Sequence, residues 1–171
     1  MHEEVKQFIR RLKLTFPDKF KGKRVVEFGS LDINGTPREL FENCNYTGVD
    51  WRKGKGVDIV SLAHEFKDEE KFDVIISTEM LEHDKYAKQS IWNMMNLLRP
   101  GGLLIITCAG PRRHKHELEC GVGRHYQNLT KKDLFHWILL DDMKECMIKD
   151  TGLDLQFYAL KEGKDEKRNN N

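Results

Sequence analysis

The chain has 171 residues, 33% of them charged, yet 29 Lys and Arg against 28 Asp and Glu leave a net charge of +1. That balance excludes a global electrostatic drive toward nucleic acid or an anionic membrane, and the length is that of one domain with room for a core. Four scattered cysteines (Cys44, Cys108, Cys120, Cys146) suit free thiols better than a disulfide framework; no apolar run nears the ~20 residues of a membrane span, and the polar residues 2–7 do not make a secretory start, so a cytoplasmic protein of open oligomeric state is expected.

In chain order, residues 3–16 put Val5, Phe8, Ile9, Leu12 and Phe16 on one helical face, and Pro17 ends the helix. Such a face must pack on something; a ligand cleft and a plain sheet face are both open. Lys19, Lys21, Lys23 and Arg24 form a solvated lead into the first strand, at Val25 and Val26. The strand breaks at Gly29 and the chain loops to Gly35. A helix restart is expected at about 37–43, with Thr36 as cap, Pro37 at the first helical position and Glu39 completing a capping box.

Strand, glycine loop and capped helix make a nucleotide cradle, in which the loop backbone approaches the ligand closely. It is not the dinucleotide fingerprint: only Gly29 and Gly35 are present, with five residues between them. Glu27 sits two residues before Gly29, and an acid there suits a ligand that carries a cation. S-adenosylmethionine, with an ammonium and a sulfonium, matches that chemistry. The alternative is an ordinary crossover with a solvated glutamate.

Residues 46–50 read as a second strand ending in Asp50, 21 residues after Gly29. That is where a ribose-binding acid belongs in a β-α-β nucleotide unit. Trp51 follows and can lie against an adenine or simply pack. Lys53-Gly-Lys-Gly56 is expected as a flexible turn and residues 57–60 as a third strand. Leu62, Ala63 and His64 fall at its carboxyl end, where open parallel sheets bind ligands. Residues 72–77 form the fourth strand, followed by Thr78-Glu-Met-Leu-Glu-His83. A helix at about 85–98 carries Ala87, Ile91, Met94, Met95 and Leu98 on one side; Pro100-Gly-Gly102 breaks it, and residues 103–107 form the fifth strand. Strands alternating with helices indicate a parallel sheet with right-handed crossovers.

Residues 109–128 have little periodicity and hold Arg112, Arg113, His114, Lys115, His116, Cys120, Arg124, His125 and Tyr126. Thr130 and Asp133 open another helix. Residues 145–149 and 155–160 flank Asp150-Thr-Gly152 as an antiparallel hairpin at the sheet edge. The polar tail, 163–171, is expected to fray.

This order of motifs resembles the class I S-adenosylmethionine-dependent methyltransferases over about residues 23–161. Residues 25–35 are similar to the family's first motif, 46–50 to its second, 72–83 to the small-molecule form of its fourth, and 97–107 to its lead into strand five. The resemblance implies one α/β domain over 1–171, Rossmann-like and doubly wound in three α/β/α layers. Its seven-stranded sheet is mostly parallel, with an antiparallel last strand. The N-terminal helix falls in 1–20 and a variable acceptor-side loop at 109–128.

The resemblance also implies residue roles. Glu27, Gly29, Ser30 and Leu31 meet the methionine end of the cofactor. Asp50 binds the ribose diol, and Trp51, Leu62, Ala63 and His64 line the adenine. Thr78 and Glu79 lie near the sulfonium and the substrate entrance. The implied reaction is methyl transfer to a small-molecule or saccharide-like acceptor, with S-adenosyl-L-homocysteine as product. His83 is the best-placed base, though packing on the next helix is the stronger reading of it; His114 and His125 are the other imidazoles. Two further readings stand beside this one. One is a cofactor-binding regulatory module without turnover, suggested by the small size. The other is an RNA- or protein-directed enzyme using the basic segment 112–125. Nucleic acid is otherwise not expected, since the Asn/Asp-Pro-Pro-aromatic motif of DNA amino-methyltransferases is missing. His114, His116, Cys120 and His125 match no standard zinc spacing, and no metal is expected.

Overall fold

The computed structural model describes residues 3–114 and 125–163. A seven-stranded sheet forms its centre: β1 (Arg24–Phe28), β2 (Asn45–Asp50), β3 (Ile59–Val60), β4 (Phe72–Thr78), β5 (Leu98–Ala109), β6 (Met143–Asp150) and β7 (Asp154–Lys161). The spatial order is β3-β2-β1-β4-β5-β7-β6. The first five strands pair in parallel, and β7 inserts antiparallel between β5 and β6. The expected α/β, doubly wound architecture is therefore the observed one.

Alternation along the strands sorts the core to two sides. On one side Val25, Val74, Ile76, Leu103 and Ile105 pack against Val5, Phe8, Ile9 and Leu12 of α1 (Glu3–Thr15). On the other, Val26, Phe28, Ile75, Leu104 and Ile106 meet Ile91, Met94 and Met95 of α2 (Ala87–Leu97) and Leu134 of α3 (Lys131–Trp137). The first helix thus covers a sheet face, which answers the question its apolar stripe left open. No helix among the described residues is long and apolar enough to cross a membrane.

Some elements depart from expectation. The helix at 37–43 is a single 3-10 turn, Pro37–Leu40. The Thr36 hydroxyl accepts from the N–H of Arg38, so the expected capping box with Glu39 does not set the turn. The chain is extended again at Phe41, whose ring stacks on Phe20 at 4.5 Å, and Lys21 bridges to Glu42. Side-chain packing and that bridge outweigh local helix signals. Pro100-Gly-Gly102 does not separate helix from strand: β5 begins at Leu98 and runs through it, Gly101 taking a φ of 73°. β3 shrinks to two exposed edge residues. Thr130 and Asp133 open α3 as expected, and the structure adds both reciprocal bonds of a capping box.

Candidate active site

The carboxyl ends of β1 to β4 point to one side, and the loops there enclose a cavity of about 310 Å³. Its walls include Gly29, Asp50, Trp51, Leu62, Ala63 and His83 from the sequence reading. Met80 and Tyr86 also line it, and the sequence carries no signal for either. A cavity of this size, mostly apolar with a few polar groups, is typical of small-ligand sites. Glu27, Ser30, Leu31, His64, Thr78 and Glu79 do not line it; they stand behind or beside it.

Register sets the geometry of the two acids. Glu27 pairs with Gly48 across β1 and β2, and Asp50 lies two residues beyond Gly48. Residues two apart share a face, so both carboxylates project from the same side of adjacent strand tips, with the Gly29 loop between them.

Asp50 is 8% exposed. Its Oδ1 accepts from the Arg52 N–H at 2.9 Å and its Oδ2 from the Leu31 N–H at 3.4 Å. Each oxygen keeps acceptor capacity for a ligand.

Glu27 is 3% exposed. Its Oε2 accepts from the Tyr46 hydroxyl at 2.9 Å and from Thr36 Oγ1 at 3.4 Å. Its Oε1 takes no hydrogen bond among the described residues. Burial pushes the carboxyl up to about 7, against the weaker pull of Tyr46, Arg38 and Thr36.

The loop between these acids is built by glycines at close approach. Gly29 has a φ of 81°, and a Cβ there would fall 2.6 Å from the Cβ of Met80. The loop rests on a strap, residues 53–56. A Cβ on Gly56 would stand 2.6 Å from the Ser30 carbonyl oxygen, and one on Gly54 would stand 2.2 Å from Leu31 Cδ1. Lys55 closes the strap by pairing with Asp32 at 2.6 Å. The turn expected to be flexible is therefore a packed support for residues 30–32.

Beside the cavity, at the tips of β4, β5 and β7, lies a cluster of ionisable groups. Arg113 Nη2 bridges Glu79 at 3.1 Å and Asp154 at 2.6 Å. Glu79 has a φ of 52°, a conformation that L residues enter rarely; burial, and next the Asp154 charge, raise its carboxyl above the ordinary range. Glu82 is buried too and held well above the ordinary range by desolvation and next by the Glu79 charge. Arg113, read in the sequence as part of a basic segment, is thus committed to internal ion pairs.

His83 lines the cavity and meets the Tyr126 ring edge-on at 5.2 Å. His125 also lines it, with a buried Nε2 that has no hydrogen bond among the described residues. His64 leans on Tyr86, ring centres 4.4 Å apart. Lys115, His116, Cys120, Arg124, the rest of residues 115–124 and the tail from 164 lie outside the described residues. No metal-binding group of three or more His, Cys, Asp or Glu occurs among the described residues.

Comparison with known proteins gives a consistent result. Residues 1–156 match the family model described as a methyltransferase domain. The chain is 25% identical over 129 residues to the ubiquinone biosynthesis O-methyltransferase of Rickettsia canadensis; the match takes in 72% of this chain and 55% of that protein, so the chain spans about half the length of this curated relative. Among solved structures, the 1,6-didemethyltoxoflavin-N1-methyltransferase of Burkholderia thailandensis, with 1,6-didemethyltoxoflavin and S-adenosylhomocysteine bound, superposes with a TM-score of 0.68 at 16% identity, over 94% of this chain and 79% of its own. The N-methyltransferase NodS of Bradyrhizobium japonicum, in complex with S-adenosyl-l-homocysteine, gives 0.64 at 17%, over 92% and 87%.

Proposed function

Since the chain belongs to this methyltransferase-domain family, we propose that it binds S-adenosyl-L-methionine across the carboxyl ends of its parallel strands. It transfers the methyl group to a small-molecule acceptor, saccharide-like acceptors included, and leaves S-adenosyl-L-homocysteine. One observation carries this reading: two buried carboxylates, Glu27 and Asp50, share a face at adjacent strand tips and flank the Gly29 loop. Apolar walls with Asp50 among them and Glu27 beside them fit a nucleoside bearing a cation.

Bound there, the cofactor supplies a methyl group already activated on a sulfonium, so the protein's part is to bind, orient and exclude water. Asp50 accepts hydrogen bonds from the ribose hydroxyls with the lone pairs its backbone donors leave free. Trp51, Leu62 and Ala63 wall the adenine, with His64 behind them. Glu27 receives the ammonium, and Gly29, Ser30 and Leu31 bring backbone against the amino-acid end. Thr78 and Glu79 flank the reacting end. Where the acceptor is a hydroxyl or an amine, His83 is the imidazole placed to take its proton, and His125 is its competitor on the cavity wall. The names of the relatives span O- and N-methylation, so both acceptor types belong in the test.

Calorimetry with both nucleosides, then transfer of labelled methyl to a panel of hydroxyl and amine metabolites, tests the proposal. Saturable binding of both and label in at least one acceptor are expected. No binding of either at millimolar concentration removes the cofactor assignment. Binding with no transfer to any acceptor favours the regulatory module instead.

A further inference from the structure

Among the described residues, Glu27 is gripped on one oxygen only. Tyr46 stands on the same face of β2, two residues before Gly48, the residue paired with Glu27. Its hydroxyl donates to Oε2 at 2.9 Å. The phenol is itself held from both sides. Phe41 meets its ring edge-on at 5.3 Å, and the Arg38 guanidinium lies 4.7 Å over its centre. Arg38 in turn pairs with Asp58, whose Oδ2 accepts from the Gly48 N–H at 2.7 Å. The donor is therefore pre-set by packing and not free to swing toward water.

We propose that Tyr46 is a positioning residue for the Glu27 carboxylate, and that the cofactor's ammonium binds to this carboxylate only in its ionised form, expelling one proton to solvent. The inference rests on the S-adenosylmethionine reading above and adds a coupling to it. The balance is simple: a carboxylic acid and an ammonium become a carboxylate–ammonium pair, and the proton leaves to the buffer.

The surroundings of Glu27 support the coupling. Strand β4 offers only Ile76 beside it. From the segment between β1 and β2 come Arg38, already spent on Asp58 and the Tyr46 ring, and Asp32, paired with Lys55. From α1, Lys6 reaches the loop at Gly35, its Nζ 3.4 Å from where a Cβ on that glycine would be. Strand β2 offers Tyr46, whose own proton is held well above the ordinary phenol range by burial and then by the Glu27 charge. The proton that leaves is therefore that of Glu27, which burial holds near neutrality. An ammonium placed at Oε1, which has no hydrogen bond among the described residues, supplies an opposite charge closer than Arg38 and draws the acid into its ionised form.

S-adenosyl-L-homocysteine is the right probe, since its ammonium is its one cationic group. Calorimetry from pH 5.5 to 8, in two buffers of different ionisation enthalpy, reads affinity and proton count together. One linked proton makes affinity rise about tenfold per pH unit below about pH 7 and level off above it, with about half a proton released at pH 7. 5′-Methylthioadenosine, which lacks the amino-acid end, should bind with no such slope. In Y46F, the midpoint should move to higher pH and affinity for homocysteine nucleoside at pH 7 fall about tenfold, with methylthioadenosine affinity unchanged. T36A, which removes only the long second hydrogen bond, should shift the midpoint less, and it stands in if Y46F fails to fold.

PH-independent binding of S-adenosyl-L-homocysteine overturns the coupling and leaves the cofactor assignment intact. An equal slope for methylthioadenosine overturns it too, by placing the proton elsewhere. A Y46F protein that folds and keeps the wild-type midpoint removes Tyr46 from the role. Absence of binding by all three nucleosides strikes the cofactor assignment itself.

Discussion

At the residue scale, Glu27 shows how a binding group is kept at a cost to the fold. Its carboxyl is raised to about 7 by burial, so the ligand-free protein is more stable while the group is protonated. The contribution is present in full below the ordinary carboxylate range and is lost as pH rises through about 7. Replacing the acid by an uncharged isostere removes that loss. Glu27→Gln should stabilise the ligand-free protein at pH 8 by about 2–3 kcal/mol, with no gain near pH 4. Denaturant unfolding at the two pH values checks this, and equal effects at both would show that Glu27 is not the titrating group. The same variant should bind S-adenosyl-L-homocysteine weakly. Asp50 is the complementary case, because its two backbone donors satisfy it without a ligand. Asp50→Ala should weaken nucleoside binding by about 1.5–3 kcal/mol, the range for hydrogen bonds to a charged group, with the fold retained. Affinity unchanged in calorimetry would show the ribose assignment to be wrong.

At the element scale, the first loop is shaped less by its own sequence than by the strap beneath it. Gly56 has a φ of 85°, and any Cβ there meets the Ser30 carbonyl. Gly56→Ala should cost about 1–3 kcal/mol, since strain and contact act together. It should also displace residues 30–32 and weaken nucleoside binding, although Gly56 lies outside the cavity walls. Thermal unfolding alongside calorimetry separates the two effects; unchanged affinity would detach the strap from the loop. The missed helix at 37–43 belongs here as well. Thr36 and Pro37 are local start signals and were legible. The Phe41 stack on Phe20 and the bridge from Glu42 to Lys21 are contacts across about twenty residues of chain, and no cap or period reports them.

At the scale of the whole molecule, the sheet is deepest at its centre and thinnest at β3. Val74, Ile75 and Ile76 of β4 and Leu103 to Ile106 of β5 are fully buried, while Ile59 and Val60 of β3 are exposed. Local opening follows such differences. Hydrogen exchange should be slowest in β4 and β5 and fastest in β3. S-adenosyl-L-homocysteine should slow it at 29–32 and 50–63, the two segments that meet around the cavity. Protection confined to β5 and β7 would place the ligand elsewhere.

What the sequence determined alone is what short-range physics encodes. Short apolar runs bounded by polar and turn residues announced β1, β2, β4 and β5, the Thr130 and Asp133 pair announced α3, and the spacing from Gly29 to Asp50 announced an acid at the tip of the strand beside β1, because each signal lies within one unit of supersecondary structure. Tertiary structure decided the rest. It set Tyr46 against Glu27, Arg113 between Glu79 and Asp154, and Gly54 and Gly56 under Leu31 and Ser30. Those partners are distant in the chain and become neighbours only through strand register and loop packing. Charge burial, and with it the proton affinity of Glu27, exists only once that packing has removed the water.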